Sequence, residues 1–213
     1  MTRTVLRCLL LAALLGGCAE MREAPALSRV PPGLGVASAD PVPAMAAEAA
    51  AALANSGRGL AGNPAATARA VGQLELVAAE FRRDPRWAPL PTAVETELRT
   101  ARLEWRAALG IRSGAAPEAV ATALGRAVLA LQSRDTRAAA AALDPALFEP
   151  GGPVTLARLT APGPLPQSMI ASTVARDEAT RLGQLRLGGP TGALDPNAGL
   201  LGGSGGPVAP SLR

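Results

Sequence analysis

Residues 90–110 read LPTAVETELRTARLEWRAALG, the most regular stretch of the chain. Its apolar side chains recur at intervals of three and four residues, at Val94, Leu98, Ala101, Trp105 and Ala108. This spacing places them on one face of an α-helix, because a strand would alternate with every second residue. Charged side chains fill the other face: Glu95, Glu97, Arg99, Arg102, Glu104 and Arg106. We therefore predict an amphipathic helix with one buried face and one face in water, closed by Gly110.

Similar apolar spacings follow several other helix start signals. At most of them a capping or small residue precedes a proline, which favours the first turn of a helix. The predicted starts are Asp40-Pro41, Asn63-Pro64, Leu90-Pro91, Ala116-Pro117, Asp135, Pro153 and Pro166. Because short connections make consecutive amphipathic helices antiparallel, we predict an all-α fold for residues 40–186. The expected architecture is an antiparallel helical bundle or a set of stacked αα-hairpins.

The composition also favours helices in a single domain. The chain has 213 residues, of which 48% are hydrophobic, but it contains only two Trp, two Phe and no Tyr. A core of Leu, Val and Ala suits helices packed at short distance better than a sandwich of β-branched and aromatic strands.

Proline and glycine concentrate at the two ends of the chain. Residues 18–39 show no apolar period and contain Pro31 and Pro32, which indicates a flexible tether partly stiffened by proline. Residues 187–213 include the run GGSGG at positions 202–206, and their composition predicts a disordered tail.

Residues 1–18 read MTRTVLRCLLLAALLGGC. Arg3 and Arg7 are followed by an apolar run and then by small residues, which are the three parts of a secretory signal. The apolar run, residues 8–15, is about half the length that a helix needs to cross a bilayer. We therefore predict that residues 1–17 are an export signal and not a permanent membrane span.

The signal ends in Leu15-Gly16-Gly17-Cys18. This motif resembles the lipobox of bacterial lipoproteins, which implies a diacylglyceryl group on Cys18, removal of residues 1–17 and a further acyl chain such as palmitate on the new amino terminus. Such chains are sufficient for stable anchoring. The residue after Cys18 is Ala19 and not Asp, which by resemblance to the lipoproteins of enteric bacteria implies the outer membrane. The alternatives are an ordinary signal with an incidental cysteine, or an apolar N-terminal helix.

Removal of the signal changes the cysteine count and the charge. Cys8 is lost, so the mature chain keeps one lipidated cysteine and can form no intramolecular disulfide. The whole chain has 21 basic and 17 acidic residues, a net charge of +4, and the loss of Arg3 and Arg7 leaves +2. This small charge, together with an envelope address, argues against a nucleic-acid partner.

Missing residue types exclude most catalytic machinery. The chain has no His, and all 21 basic residues are Arg. Ser/His and Cys/His nucleophiles, Ser/Lys dyads, Schiff bases and imidazole metal sites are therefore excluded. Neighbouring acids such as Asp177 and Glu178 do not face each other on a helix. We predict no enzyme activity, no cofactor and no metal site.

One basic cluster is a candidate contact site. Arg82, Arg83, Arg86 and Trp87 flank the end of the helix that begins at Pro64. Arginines beside an aromatic ring are suited to bind a phosphate headgroup or another anionic surface. In the structural alternative, Arg82 and Arg83 complement the negative end of the helix dipole, and Trp87 closes the end of the bundle.

These observations predict a protein that acts by contact. We expect it to be anchored through Cys18, to face the periplasm and to bind an envelope protein as an accessory or structural factor. A small-molecule or lipid carrier is the alternative, and an enzyme using only carboxylates and arginine is third. An exposed apolar patch would favour a protein partner, an enclosed apolar cavity a carrier, and two converging carboxylates an enzyme.

Overall fold

The computed structural model describes residues 30–186. In this range seven α-helices and two short 3₁₀-helices follow one another, with no β-strand among them. The α-helices are α1 (Pro41–Ala52), α2 (Pro64–Arg83), α3 (Thr92–Leu109), α4 (Pro117–Gln132), α5 (Thr136–Ala142), α6 (Gly152–Thr160) and α7 (Pro166–Arg186), and the 3₁₀-helices are Ala54–Leu60 and Pro85–Trp87. The all-α prediction is confirmed. The predictions for the signal, for Cys18 and for the tail at residues 187–213 lie outside the described residues.

Three of the predicted helix starts are confirmed by capping interactions. Asp40, Asn63 and Asp135 each precede a helix and accept a hydrogen bond from a backbone N–H of its first turn, at 3.4, 3.1 and 2.8 Å. Proline occupies an early position of α1, α2, α4 and α6, where its missing N–H removes no hydrogen bond. Gly110 ends α3 with φ of 71°, a left-handed conformation that glycine adopts without strain.

Helix α2 is the central helix, and its most extensive contact is with α4. The two helices run antiparallel, since Arg83 at the end of α2 pairs with Glu118 at the start of α4. Helix α7 packs against both α1 and α3. The largest contact thus joins helices that are not consecutive, so the fold is an antiparallel bundle and not a stack of hairpins.

Because it lies in the centre, α2 is buried on nearly all sides. Fourteen of its 20 residues are buried, and they include the polar residues Gln73, Glu75 and Glu80. Polar groups in such a position require partners from the surrounding helices.

Part of the predicted tether is packed against the bundle. Leu34 has no exposed surface and lies between α2 and α4, beside Gly72 and Gly125. A Cβ atom at Gly125 would come within 2.5 Å of the Pro32 carbonyl oxygen, so glycine permits this close approach. The packed part of the chain therefore includes residues before residue 40, within the predicted tether. A single leucine among prolines and glycines has no period that a sequence pattern can detect.

The outer face of α3 also differs from its prediction. Arg106 is buried, Arg102 and Glu104 are partly buried, and Leu103 is 69% exposed. The prediction of a charged face in water is therefore wrong for the second half of α3. The reason is that α3 contacts both α2 and α7, and each neighbour provides polar partners for its charged side chains.

Candidate functional site

A closed ionic cluster joins α2 to α3. Glu75 of α2 is fully buried, and its carboxylate oxygens accept hydrogen bonds from Arg106 Nε at 2.7 Å and Arg106 Nη2 at 2.9 Å. The Trp105 indole N–H donates to the same carboxylate at 2.8 Å. The remaining nitrogen, Arg106 Nη1, donates to three backbone carbonyl oxygens within residues 112–115. These bonds satisfy charges that would otherwise be costly to bury, so the cluster connects α2 to α3 and leaves neither the Glu75 nor the Arg106 charge without a partner.

Arg102 lies between this cluster and a cavity. Its Nη2 atom is 3.2 Å from Glu75 Oε2. Its Nε atom is buried but has no hydrogen-bond partner in the described part of the protein. Burial lowers the pKa of the Arg102 guanidinium, while the charge of Glu75 acts in the opposite direction. Arginine remains a cation at neutral pH even so, and Arg102 therefore brings a positive charge to the wall of the cavity.

The cavity lies between α2 and α3 and has a volume of about 120 Å³. The buried residues Ala78, Phe81 and Leu98 form its apolar lining. Its charged lining consists of Arg82, Glu95, Arg99 and Arg102. Three positive charges against one negative charge produce a local potential that attracts anions.

A wider depression of about 410 Å³ adjoins the cavity. Both are lined by Phe81, Arg82 and Glu95, so they share an edge. The depression extends towards the segment that links α2 to α3, where Asp84 and Ala88 line it. A molecule larger than the cavity can therefore place one group inside it and the remainder over this surface.

The structure divides the predicted basic cluster. Arg82 lines the cavity, whereas Arg83 is paired with Glu118 at 2.6 Å. Arg86 donates to both carboxylate oxygens of Asp40, at 2.9 and 3.1 Å. The cations of Arg83 and Arg86 are thus already matched by carboxylates, and Arg82 is the member of the cluster that faces the cavity.

Trp87 is buried at the end of the bundle. Its ring lies 4.9 Å from that of Phe81, and the guanidinium groups of Arg86 and Arg186 lie 4.5 and 4.8 Å from it. These are aromatic and cation–π packing distances. Because the protein's own side chains cover the indole, its position fits the structural alternative better than a ligand-binding surface.

Two carboxylates near the end of α2 have pKa values shifted in opposite directions. Burial raises the pKa of Glu80, and one of its carboxylate oxygens has no partner among the described residues. Burial also acts on Glu118, but hydrogen bonds from its own backbone and from Arg83 outweigh it and lower the pKa of that carboxyl. Opposed shifts of this kind occur in acid–base pairs of enzymes. Glu80 lines neither the cavity nor the adjoining depression, however.

Glu104 of α3 holds the start of α7. Its carboxylate accepts hydrogen bonds from the backbone N–H groups of Gln167 and Ser168, at 3.0 and 2.7 Å, and from the Ser168 hydroxyl at 2.6 Å. A carboxylate at a helix N-terminus satisfies free N–H groups and interacts favourably with the helix dipole. This explains why Glu104 is not on a face in water.

Sequence reasoning missed Arg99 and Arg102 as members of the site. They are three residues apart on α3 and therefore share a face, which is a signal that the sequence contains. No local pattern connects them with Arg82, because that residue comes from a different helix.

Comparison with known proteins gives no relative: no protein-family model, curated protein or solved structure matches the chain. Between residues 30 and 186, no group of three or more Cys, Asp or Glu side chains is placed to hold a metal ion. No helix in that range is long and apolar enough to cross a membrane. The function proposed below therefore depends on the predicted signal at residues 1–17 and on the geometry of the cavity.

Proposed function

We propose that this protein is a lipid-anchored binding factor of the bacterial envelope, which faces the periplasm and acts by contact and not by catalysis. The observation that carries the binding role is the arginine-lined cavity between α2 and α3. The motif that ends at Cys18 supports the lipid anchor, and Ala19 supports the outer membrane as its location.

The interior carboxylates accept hydrogen bonds from the protein's own donors, which supports a role without catalysis. Glu75 is surrounded by donors from Arg106 and Trp105, and Glu104 is occupied by the start of α7. A general acid or base must reach the substrate to exchange a proton with it. Carboxylates that are enclosed by donors of the protein cannot do so. Glu95 is the single carboxylate among the described residues that line the cavity, and the chain has neither His nor Lys to act with it.

The size of the cavity favours recognition of one chemical group over enclosure of a whole molecule. Pockets that bury a drug-sized ligand have volumes of about 300–1,000 Å³, whereas this cavity has about 120 Å³. It cannot enclose a lipid acyl chain. A carrier is therefore the second candidate, restricted to small ligands that extend over the adjoining depression.

Exposed apolar side chains provide further contact points for a protein partner. In residues 30–186, five large ones are at least 40% exposed: Leu103, Leu129, Val154, Ile170 and Leu185. They are distributed over four helices, and single exposed apolar residues are common on protein surfaces. We therefore assign them a supporting role in contact with a partner, beside the cavity.

The anchor is tested by comparing two cysteine variants in a bacterial host. Cys18→Ser removes the predicted lipid attachment site, whereas Cys8→Ser changes a cysteine of the segment that is predicted to be cleaved. We expect the wild type and Cys8→Ser to incorporate labelled palmitate and to sediment with outer membranes. Cys18→Ser should incorporate no label and should no longer sediment with membranes.

Two results would contradict the proposed function. One is a Cys18→Ser variant that still carries the label and stays with membranes. The other is a mature protein whose mass shows an unmodified amino terminus at a residue other than Cys18.

A further inference from the structure

We propose that the cavity between α2 and α3 binds the oxyanion of a small organic anion, a carboxylate or phosphate carried on a short apolar group. This inference deepens the proposed binding function and rests on it. It specifies the chemical class of the ligand and the residues that recognise it.

Arg102 is the first element of the site. Glu75 holds its Nη2 atom at 3.2 Å, and Glu75 is itself held by Trp105 and Arg106. The Arg102 guanidinium is therefore fixed before a ligand arrives, which reduces the entropy lost on binding. The exposed part of its side chain, 17% of the surface, lines the cavity, so a fixed positive charge meets an incoming oxyanion.

Arg82 and Arg99 are the second element. Both side chains line the cavity and are exposed at its entrance. Neither is paired with a carboxylate within 4 Å in residues 30–186, in contrast to Arg83 and Arg86. Their charges are thus available to an incoming anion. Guanidinium groups bind carboxylates and phosphates through two parallel hydrogen bonds, which gives preference to planar or tetrahedral oxyanions over chloride.

The apolar lining determines what the oxyanion is attached to. Ala78, Phe81 and Leu98 are buried and contribute no polar atom from their side chains. An apolar cavity of about 150 Å³ is known to hold one benzene molecule, so a cavity of about 120 Å³ holds no more than one group of that size, and the remainder of a larger ligand extends over the adjoining depression. Inorganic phosphate would leave this lining without a contact.

Glu95 sets a limit on the charge of the ligand. It lines both the cavity and the depression, on the side where a bound molecule leaves the cavity. A ligand with further negative charge outside its oxyanion would be repelled there. Removal of this charge is therefore expected to strengthen anion binding, which is an effect that a purely structural role of Glu95 would not produce.

The test uses the mature lipidated protein in a neutral detergent, titrated by calorimetry at low ionic strength. The probes are phenylphosphate, benzoate, inorganic phosphate and the water-soluble lipid dihexanoylphosphatidylglycerol. We expect phenylphosphate and benzoate to bind with millimolar or lower dissociation constants, and inorganic phosphate to bind about tenfold more weakly because it forgoes the apolar contact.

Variants assign the binding to the cavity. Arg99→Gln should weaken phenylphosphate binding by about tenfold, the effect of one charged hydrogen bond. Glu95→Gln should strengthen it. Arg137→Gln, which removes an exposed arginine of α5 away from the cavity, is the matched control and should leave it unchanged. Thermal unfolding of each variant verifies that its fold is retained.

The probes also identify the source of the oxyanion. Phosphatidylglycerol binding as tight as that of phenylphosphate would identify membrane headgroups, and much weaker binding would identify free anions. No measurable binding of any probe, or equal binding by Arg99→Gln and Arg137→Gln, would overturn the inference. If the mature protein proves to be unlipidated in its host and still binds phenylphosphate, the proposed location alone would be overturned. Conversion of phenylphosphate to phenol would overturn the proposed absence of catalysis alone.

Discussion

The cluster around Glu75 and the neighbouring cavity are built from the same two helices and the same residue types, yet they differ in how their arginines are used. In the cluster, Arg106 is bonded to Glu75 and to backbone carbonyl oxygens. At the cavity, Arg99 has no paired carboxylate in the described range, and Arg102 keeps 17% of its side chain exposed beside its contact with Glu75. Arg102 belongs to both regions. The difference teaches that a buried carboxylate from α2, and not the arginine itself, decides whether the side chain stabilises the fold or remains free for a ligand.

The largest effect on stability is expected when the ion pair between Glu75 and Arg106 is broken. Glu75→Ala leaves the buried Arg106 charge and the Trp105 indole N–H without their acceptor. Removal of one partner of a buried ion pair costs about 3–5 kcal/mol, so the free energy of unfolding in urea should fall by this amount. Glu97→Ala on α3 is the control, because no ion pair or hydrogen bond of the Glu97 side chain is found in the described structure, and it should change stability by less than about 0.5 kcal/mol. Equal effects of the two substitutions would show that the cluster does not stabilise the fold.

A smaller, pH-dependent effect is expected at Glu80, the buried carboxylate of α2 that lacks a full set of partners. Burial raises its pKa above the ordinary value of 4.5, so the folded protein retains this proton to a higher pH than the unfolded chain. The contribution of Glu80 to stability is therefore present at acidic pH and is lost as the pH rises from about 4.5 through the folded-state pKa.

The Glu80→Gln variant lacks this titration. Its free energy of unfolding relative to the wild type should increase as the pH is raised over that window, as measured by urea denaturation at a series of pH values. Because the Glu118 and Arg83 charges remain in both proteins, their titration largely cancels in the difference. A difference that is constant with pH would contradict the raised pKa.

The smallest effect on stability is expected for a substitution at the cavity between α2 and α3. Arg99→Gln removes an exposed charge that has no paired carboxylate in the described range, so the free energy of unfolding should change by less than about 0.5 kcal/mol. Arg106→Gln should be far more destabilising, because that side chain is buried and fully bonded. Equal destabilisation by the two substitutions would contradict the comparison, because it would mean that Arg99 stabilises the fold as much as Arg106 does.

The helix starts and ends were predictable because their signals are local. Asp40, Asn63 and Asp135 cap helices with their own side chains, and Gly110 ends α3 through a conformation that its backbone adopts freely. These interactions span only a few residues. They are the same in any fold that contains the segment.

The roles of the charged residues of α3 were not predictable in this way. Arg99, Arg102 and Arg106 occupy equivalent positions in the sequence pattern, but Arg99 is exposed and Arg106 is buried. Their surroundings come from α2, which is distant in the chain. The burial of Leu34 between α2 and α4 has the same origin, since its packing depends on two glycines that lie far along the sequence.

The sequence by itself determined the helical segments, the missing catalytic residue types and the predicted lipidation motif, because each depends on residues that are neighbours in the chain. Only the tertiary structure decided which charges are buried, which arginines are paired and where a cavity remains. Those properties depend on side chains that are brought together from different helices, and their energies are set by burial and by the distance between charges, neither of which a local pattern contains.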